Sequence, residues 1–220
     1  MNTSAIQKKE QKKENKALWW GAWMATFVSF IAAGAVAWAV AGPVLDPLSG
    51  LFAGAVAGVV IGLAQWLALR SLLPPSLGAQ WAAATTLGVS IGVAAGAALV
   101  NYRTRAVDLA AMGFVTGISV GALQAWVLRE RVPASWRWLL LSPPLWAASW
   151  LITLAIGIDM SFHWAVFGAS GALFYTVIAG LVLRLLLHLP LQVTDALDSG
   201  AQKVGTLEHV AKPVNIGGAN

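Results

Sequence analysis

The chain has 220 residues, of which 58% are hydrophobic and only 10% are charged, and its formal net charge is +5. A soluble domain carries about 25% charged residues, so the composition excludes an ordinary soluble protein and indicates a membrane protein. The sequence contains no cysteine, which excludes disulfides, thiolate metal sites and cysteine catalysis.

Six stretches of predominantly apolar residues, each near the ~20 residues that cross the hydrocarbon core, predict an all-α bundle of six transmembrane helices. The predicted helices are Ala17–Ala41, Leu51–Leu69, Trp81–Val100, Leu109–Leu128, Trp138–Ile158 and Trp164–Leu187. They form a transmembrane domain over residues 17–189, between a basic tail of residues 1–16 and a polar tail of residues 190–220. We expect both tails to lie in the cytoplasm.

The N-terminal tail carries five lysines before the first apolar run, as the n-region of a cleaved signal peptide does. The run that follows is longer than the roughly 7 to 15 apolar residues of a signal peptide, so we expect an uncleaved first helix. Its residues Ala33, Ala37 and Ala41 lie four apart, a spacing that lets a neighbouring membrane helix approach closely.

The distribution of basic residues predicts the orientation. With the N-terminus inside, twelve of the fourteen Lys and Arg residues fall on the cytoplasmic side, and only Arg103 and Arg105 fall on the outer side. Because Lys and Arg near short loops resist translocation, this split predicts a multi-pass plasma-membrane protein with both termini in the cytoplasm. The net charge then reports topology and contact with anionic lipid rather than nucleic-acid binding.

The second and fourth predicted helices share a motif of three glycines, a glutamine, a Leu-Arg pair and a proline. The two copies are Gly54, Gly58, Gly62, Gln65, Leu69, Arg70 and Pro74, and Gly113, Gly117, Gly121, Gln124, Leu128, Arg129 and Pro133. The sixth helix has a degenerate copy, with Ala179 in place of the glutamine, that ends in Leu183 and Arg184. The copies predict two-helix repeats near residues 51–101 and 109–158, a degenerate one near 164–187, and a pseudo-threefold arrangement.

Glycines four residues apart lie on one helix face, where they allow backbone contact between helices. The third predicted helix has such a face too, made of Gly88, Gly92 and Gly96. We expect the glycine faces to pack helices within the bundle and between subunits.

Gln65 and Gln124 are the strongly polar side chains deep within predicted spans. In one interpretation each makes an interhelical hydrogen bond, worth ~0.6 to 2 kcal/mol in a membrane. In the other, the two amides line a site for a polar ligand. Such a site would open toward the cytoplasm, because each amide lies roughly 7.5 Å along the axis from the arginine that ends its helix.

Arg70, Arg129 and Arg184 mark the cytoplasmic ends of helices two, four and six. A cation there complements the helix dipole and reaches the headgroups. In a pseudo-threefold bundle the three would form a basic ring suited to lipid phosphate, which is a second hypothesis for these residues.

On the outer side, each loop before an even-numbered helix carries an aspartate: Asp46, Asp108 and Asp159. Carboxylates near helix N-termini are favourable without a ligand. Asp159 and His163 are four apart with Ser161 between them, but such a pair lacks further metal ligands and so short a stretch does not form a catalytic triad. We predict no metal site, no cofactor and no catalytic residue.

The fifth predicted helix contains a Pro-Pro pair beginning at Pro143. In the favoured interpretation the helix begins there after a Ser142 cap, which leaves Trp136–Leu141 at the interface. In the alternative, the prolines break the helix in mid-span and expose carbonyls beside Trp146 and Trp150, which would form a pocket for a small molecule.

Most of the twelve tryptophans, including Trp23, Trp81 and Trp138, are predicted to form aromatic belts at the membrane boundaries. No Asp, Glu, Lys or Arg lies in the middle of a predicted span, which argues against proton pumping and voltage sensing.

The pattern GxxxGxxxGxxQW followed by Leu-Arg resembles a group of uncharacterised bacterial polytopic membrane proteins. The resemblance covers Gly54–Pro74, Gly113–Pro133 and, weakly, Gly168–Arg184. The second copy departs from the pattern, since Trp126 lies two places after Gln124. The resemblance implies a bacterial inner-membrane setting and no particular mechanism.

Abundant packing motifs and few convergent polar groups predict a scaffold or accessory subunit of a membrane complex without enzyme activity. Its expected partners are lipids and a protein subunit or a second copy, but not nucleic acid. The alternatives are a small-molecule-binding or transport subunit and a lipid-binding protein. For the transport alternative, Ala33, Ala37 and Ala41 are loosely similar to the small-residue faces of the six-helix substrate-capture subunits of energy-coupling-factor importers.

Overall fold

The computed structural model describes residues 18–159, 161–162 and 164–187, which form helices and connecting turns with no strand among them. Six helices are long and apolar enough to cross a membrane: α1 (Leu18–Ala41), α2 (Pro47–Leu69), α3 (Pro75–Leu99), α4 (Ala106–Leu128), α5 (Trp136–Ala155) and α6 (Ala169–Leu187). The prediction of an all-α protein with six membrane-spanning helices is confirmed. Both predicted tails lie outside the described residues.

Prolines and capping groups move the starts of α2 and α3 ahead of the apolar runs. Pro47 and Pro75 occupy first-turn positions, where the missing N–H needs no partner. The Asp46 carboxylate accepts hydrogen bonds from the backbone N–H groups of Leu48 at 2.8 Å and Ser49 at 2.9 Å. The hydrogen bond from the backbone N–H of Ser49 is the main cause of the lowered pKa of Asp46. Asp46 therefore closes the N-terminus of α2.

Helix α5 is one continuous helix that contains the Pro-Pro pair, so the prediction that it begins at Pro143 is wrong. The Ser142 hydroxyl donates to the carbonyl oxygen of Trp138 at 2.8 Å instead of capping a helix. Pro143 packs against Gly117 of α4, where a Cβ atom would lie only 2.5 Å from the Pro143 Cα. Packing against a neighbouring helix stabilises proline within a membrane span.

The helices pack in chain order, and each of α1 to α4 contacts the helix that follows it. Helix α6 packs on α5, where Gly171 lies against the carbonyl oxygen of Ser149. It also packs on α1, where the indole Nε1 of Trp23 donates to the carbonyl oxygen of Thr176 on α6 at 2.8 Å. The contacts of α6 with both α5 and α1 close the bundle.

The glycine faces of α2, α3 and α4 lie at helix interfaces inside the bundle. A Cβ atom on Gly58 of α2 would lie 2.6 Å from the Cα of Thr86 on α3, and one on Gly92 of α3 would lie 2.5 Å from the Cα of Thr116 on α4. Backbone atoms are equally close at Gly54, Gly62, Gly88 and Gly96, whereas Gly113 and Gly121 of α4 face α5. These faces are therefore occupied within the monomer.

The outward surface of the bundle is apolar. Large hydrophobic side chains are exposed along every helix, including Leu63 of α2, Leu87 of α3, Phe114 of α4 and Leu151 of α5. Polar side chains such as Gln65 are instead buried in the interior. This distribution is that of an integral membrane protein whose helices contact lipid.

Candidate functional site

Both predicted amides are buried and accept a hydrogen bond from a tryptophan of the following helix. The Oε1 atom of Gln65 on α2 accepts from Nε1 of Trp81 on α3 at 2.9 Å. The Oε1 atom of Gln124 on α4 accepts from Nε1 of Trp138 on α5 at 2.8 Å. This geometry is the one expected of amides that hold helices together.

Gln124 also connects a third helix. Its Nε2 atom donates to Oγ1 of Thr85 on α3 at 2.8 Å, and the Thr85 hydroxyl donates to the carbonyl oxygen of Trp81 at 2.8 Å. The amide therefore links α3, α4 and α5 through a chain of buried groups.

The α1–α6 interface has a similar bond without an amide. Trp23 of α1 donates to the backbone carbonyl of Thr176, one turn before Ala179, the position that the sequence analysis aligns with the glutamines. A backbone carbonyl thus serves as the acceptor where the amide is missing.

The prediction that Trp23, Trp81 and Trp138 belong to aromatic belts is wrong, because all three are at most 1% exposed. A local signal could have identified them. Each is followed three or four residues later by Thr26, Thr85 or Ser142, whose hydroxyl bonds back to the tryptophan carbonyl at 2.7 to 2.8 Å.

Trp146 and Trp150 are buried in an aromatic cluster rather than in an open break of α5. Phe167 lies 5.1 Å from Trp146 and 6.0 Å from Trp150, measured between ring centroids, and Tyr175 lies 5.7 Å from Trp146. All three of these aromatic side chains, Trp146, Phe167 and Tyr175, are at most 1% exposed. The other two candidate residues, Gln65 and Gln124, belong to one network, because Trp81 donates to Gln65 through its indole and accepts from Thr85, the partner of Gln124, through its carbonyl.

The three arginines of the repeat are exposed near the ends of α2, α4 and α6. Arg70 and Arg129 follow the last residues of α2 and α4 directly, and the Arg129 guanidinium lies 4.2 Å from the ring centroid of Trp126. Arginine stacked on an exposed indole is typical of the membrane interface.

The acids of the opposite loops have three different environments. Asp46 caps α2. Asp108 binds two arginines, with Arg105 Nε at 2.7 Å and Arg103 at 3.3 Å, and the hydrogen bond to Asp108 raises the pKa of Arg105. Asp159 contacts Ser161, whose backbone N–H donates to its carboxylate at 2.8 Å.

Asp159 and His163, for which the sequence analysis predicts no metal site, cannot be compared with the structure as a pair, since His163 lies outside the described residues. Within the described part of the chain, no group of three His, Cys, Asp or Glu residues is placed to hold a metal ion.

A cavity of about 340 Å³ lies between α1 and the segment that connects α5 to α6. Its walls are mostly apolar, and Asp159 is the one acidic side chain among the described residues that line it. Phe30, Gly34 and Phe167 form part of its inner wall, and Phe162 and Trp164 line it near Asp159. The sequence did not indicate this cavity, because its walls come from segments more than a hundred residues apart.

Comparisons of the chain with protein-family models, with curated proteins and with solved structures find no match. A function for this chain is therefore inferred from the geometry described above.

Proposed function

We propose that this chain is a non-catalytic protein of the bacterial inner membrane that serves as an accessory or scaffold subunit, and that α1 is its docking helix. The observation that carries the proposal is a row of small residues on the outward side of α1. This outer stripe consists of Gly21, Ala25, Ala32 and Ala39, all of which are exposed.

Gly21 differs from the glycines that pack helices inside the bundle. A Cβ atom at Gly21 would meet nothing within 4 Å, whereas one at Gly58 would lie 2.6 Å from a backbone atom. Lipid tails are as apolar as leucine, so membrane helices gain little by burying large apolar side chains and associate through close packing at small residues. The exposed Val28 interrupts the outer stripe between Ala25 and Ala32, so a partner helix can approach most closely at Gly21 and Ala25.

The burial of α1 supports this assignment. Only 33% of its membrane-spanning window is buried, against 44% to 50% for the other five helices. Ala33 and Ala37, whose spacing resembles the docking face of importer subunits, are at most 1% exposed. They contribute to the protein's own core, so a partner would contact the opposite side of the helix.

The polar interior supports a role without catalysis. Gln124 donates to Thr85 and accepts from Trp138, and Gln65 accepts from Trp81. Groups that hold helices in place are not free to exchange protons or to pass a substrate across the membrane.

The test is to replace Gly21, Ala25 and Ala32 together with leucine and to ask which proteins copurify. The matched control replaces three exposed alanines of α3, Ala83, Ala95 and Ala98, with leucine. Each protein is crosslinked in its own membrane, extracted gently and weighed by native mass spectrometry.

We expect the wild-type chain and the α3 control to retain a stoichiometric partner, either another subunit or a second copy. The α1 variant should lose most of the bound partner, because its affinity for the partner falls about tenfold for each 1.4 kcal/mol of lost packing energy. Its thermal unfolding midpoint should not change. A partner that remains on the α1 variant, or a wild-type protein that is a bare monomer after crosslinking, contradicts the proposal.

A second candidate function, ligand binding, is favoured by the cavity between α1 and the α5–α6 segment. It involves Gly34 and Asp159 rather than the outer stripe, so the two functions are separable by mutation.

A further inference from the structure

We propose that the cavity between α1 and the α5–α6 segment holds the hydrocarbon chain of an amphiphile whose ammonium head group pairs with Asp159. The proposal combines the shape of the cavity, its contact with lipid and the charge at its rim.

The cavity has room for a chain. At about 340 Å³ it exceeds the ~150 Å³ of an apolar cavity that binds benzene and lies near the lower end of the ~300 to 1,000 Å³ of small-molecule sites. Ile31 and Phe162, which line it, are 44% and 52% exposed on the outer surface of the bundle. An amphiphile can therefore enter from the surrounding membrane.

Gly34 contributes to the space. A Cβ atom there would make ordinary contact with Val166, at 3.4 Å, and with Trp164, at 3.8 Å. A larger side chain at this position would project into the cavity, so the absence of a side chain keeps it open.

The apolar walls alone cannot select a ligand. A hydrocarbon chain leaves an equally apolar environment when it moves from the bilayer into the cavity, so its transfer provides little hydrophobic driving force. The selectivity must come from the groups at the rim, where the head group of the amphiphile lies.

The rim carries the negative charge of Asp159, which is exposed. The backbone N–H of Ser161 donates to the Asp159 carboxylate and lowers its pKa, so this group is ionised at neutral pH. Among the residues that the structure describes, no Lys or Arg forms an ion pair with Asp159, whereas Arg103 and Arg105 both bind Asp108.

Aromatic rings beside Asp159 favour the same ligand. Phe162 and Trp164 line the cavity with Asp159, and their ring centroids are 6.4 Å apart in an edge-on arrangement. The faces of aromatic rings attract cations, and quaternary and primary ammonium groups are recognised in this way. A carboxylate in a cavity lined by two aromatic rings attracts an ammonium group and disfavours a head group whose only charge is negative.

The experiment uses the full-length protein in detergent, with native mass spectrometry as the readout. One arm offers equal amounts of phosphatidylethanolamine and phosphatidylglycerol with identical acyl chains, and a second arm offers dodecylammonium or dodecyl sulfate below micellar concentration. The variants are Asp159→Asn, which removes the charge, and Gly34→Leu, which fills the cavity. Asp46→Asn is the matched control, because it removes one outer carboxylate while asparagine still caps α2.

We expect the wild-type protein and Asp46→Asn to retain phosphatidylethanolamine in preference to phosphatidylglycerol. Asp159→Asn should reduce that preference up to about fivefold, the effect of losing one exposed ion pair while the aromatic rings remain, and Gly34→Leu should abolish retention of either lipid. If only dodecylammonium binds and the variants respond in the same way, the ligand is a free alkylammonium amphiphile rather than a lipid.

Equal retention of the two lipids together with equal binding of the two alkyl probes overturns the proposal. So does an ammonium preference that persists unchanged in Asp159→Asn. If Gly34→Leu does not fold, Asp159→Asn alone tests the proposal, because Asp159 is exposed and its replacement should not affect folding.

Discussion

Gln124 makes hydrogen bonds at both ends of its amide, to Trp138 on one side and Thr85 on the other. In the hydrocarbon core, a buried donor that loses its acceptor cannot form a replacement hydrogen bond with water. The sequence predicted that Gln65 and Gln124 are buried, because their surroundings are apolar. It did not predict their tryptophan partners, which lie on the next helix and looked like members of an interfacial belt.

We predict that Gln124→Leu lowers the free energy of unfolding by about 1 to 2 kcal/mol, because it leaves Trp138 Nε1 without its acceptor. Reversible unfolding in detergent, followed by circular dichroism, measures the change. Gln80→Leu is the control, since Gln80 is exposed and its loss should be neutral. In a double-mutant cycle, Gln124→Leu and Trp138→Phe should couple by roughly 0.6 to 1.7 kcal/mol, and additive effects of the two changes would contradict the bond.

At the scale of helices, the small-residue faces fall into two classes that the sequence does not distinguish. The face containing Gly58 lies against α3 at backbone distance, whereas Gly21 faces outward with empty space around it. Glycine spacing indicates that a helix can be approached closely. Which helix approaches, and whether it belongs to the same chain, depends on the tertiary arrangement.

We therefore predict that Gly58→Ala destabilises the protein and that Gly21→Ala does not. Gly58→Ala places a methyl group 2.6 Å from the Thr86 Cα, so α2 and α3 must move apart, at a cost of about 1 to 3 kcal/mol. Gly21→Ala should be neutral or slightly stabilising, since alanine favours a helix by up to about 1 kcal/mol over glycine. Thermal unfolding of the purified monomer measures both, and a similar loss in the two variants would show that the two glycines do not differ in their packing.

Helix α5 shows how packing resolves a local ambiguity. A serine followed by two prolines is a favourable helix start, and by sequence alone this interpretation was preferred. In the folded protein the segment before the prolines is also helical, and Trp138 within it donates to Gln124. A helix that began at Pro143 would lack the turn that holds Trp138 in this position.

At the scale of the whole molecule, the orientation in the membrane stays a prediction that a labelling experiment can test. The chain contains no cysteine, so Ser71→Cys, between α2 and α3, and Ala106→Cys, at the start of α4, each introduce a single thiol. Both positions are exposed. In the predicted six-helix topology, twelve of the fourteen basic residues lie on the same side of the membrane as Ser71 and both termini. We therefore expect that side to face the cytoplasm.

A membrane-impermeant maleimide should therefore label Ala106→Cys in intact cells and label Ser71→Cys only after the membrane is permeabilised. The reverse pattern would invert the topology, and it would place the cavity and Asp159 on the cytoplasmic side.

The sequence by itself determined that this protein spans a membrane, that it has six helices and that particular glycines and amides face protein rather than lipid. These properties follow from hydropathy and from spacing along one helix, which are local. Only the tertiary structure decided the tryptophan partners of the amides, the continuity of α5, the outward position of the α1 stripe and the cavity beside Asp159. The first two depend on contacts between neighbouring helices, as between Gln124 and Trp138 or Gly117 and Pro143. The cavity depends on segments more than a hundred residues apart, which meet when α1 lies beside the α5–α6 segment.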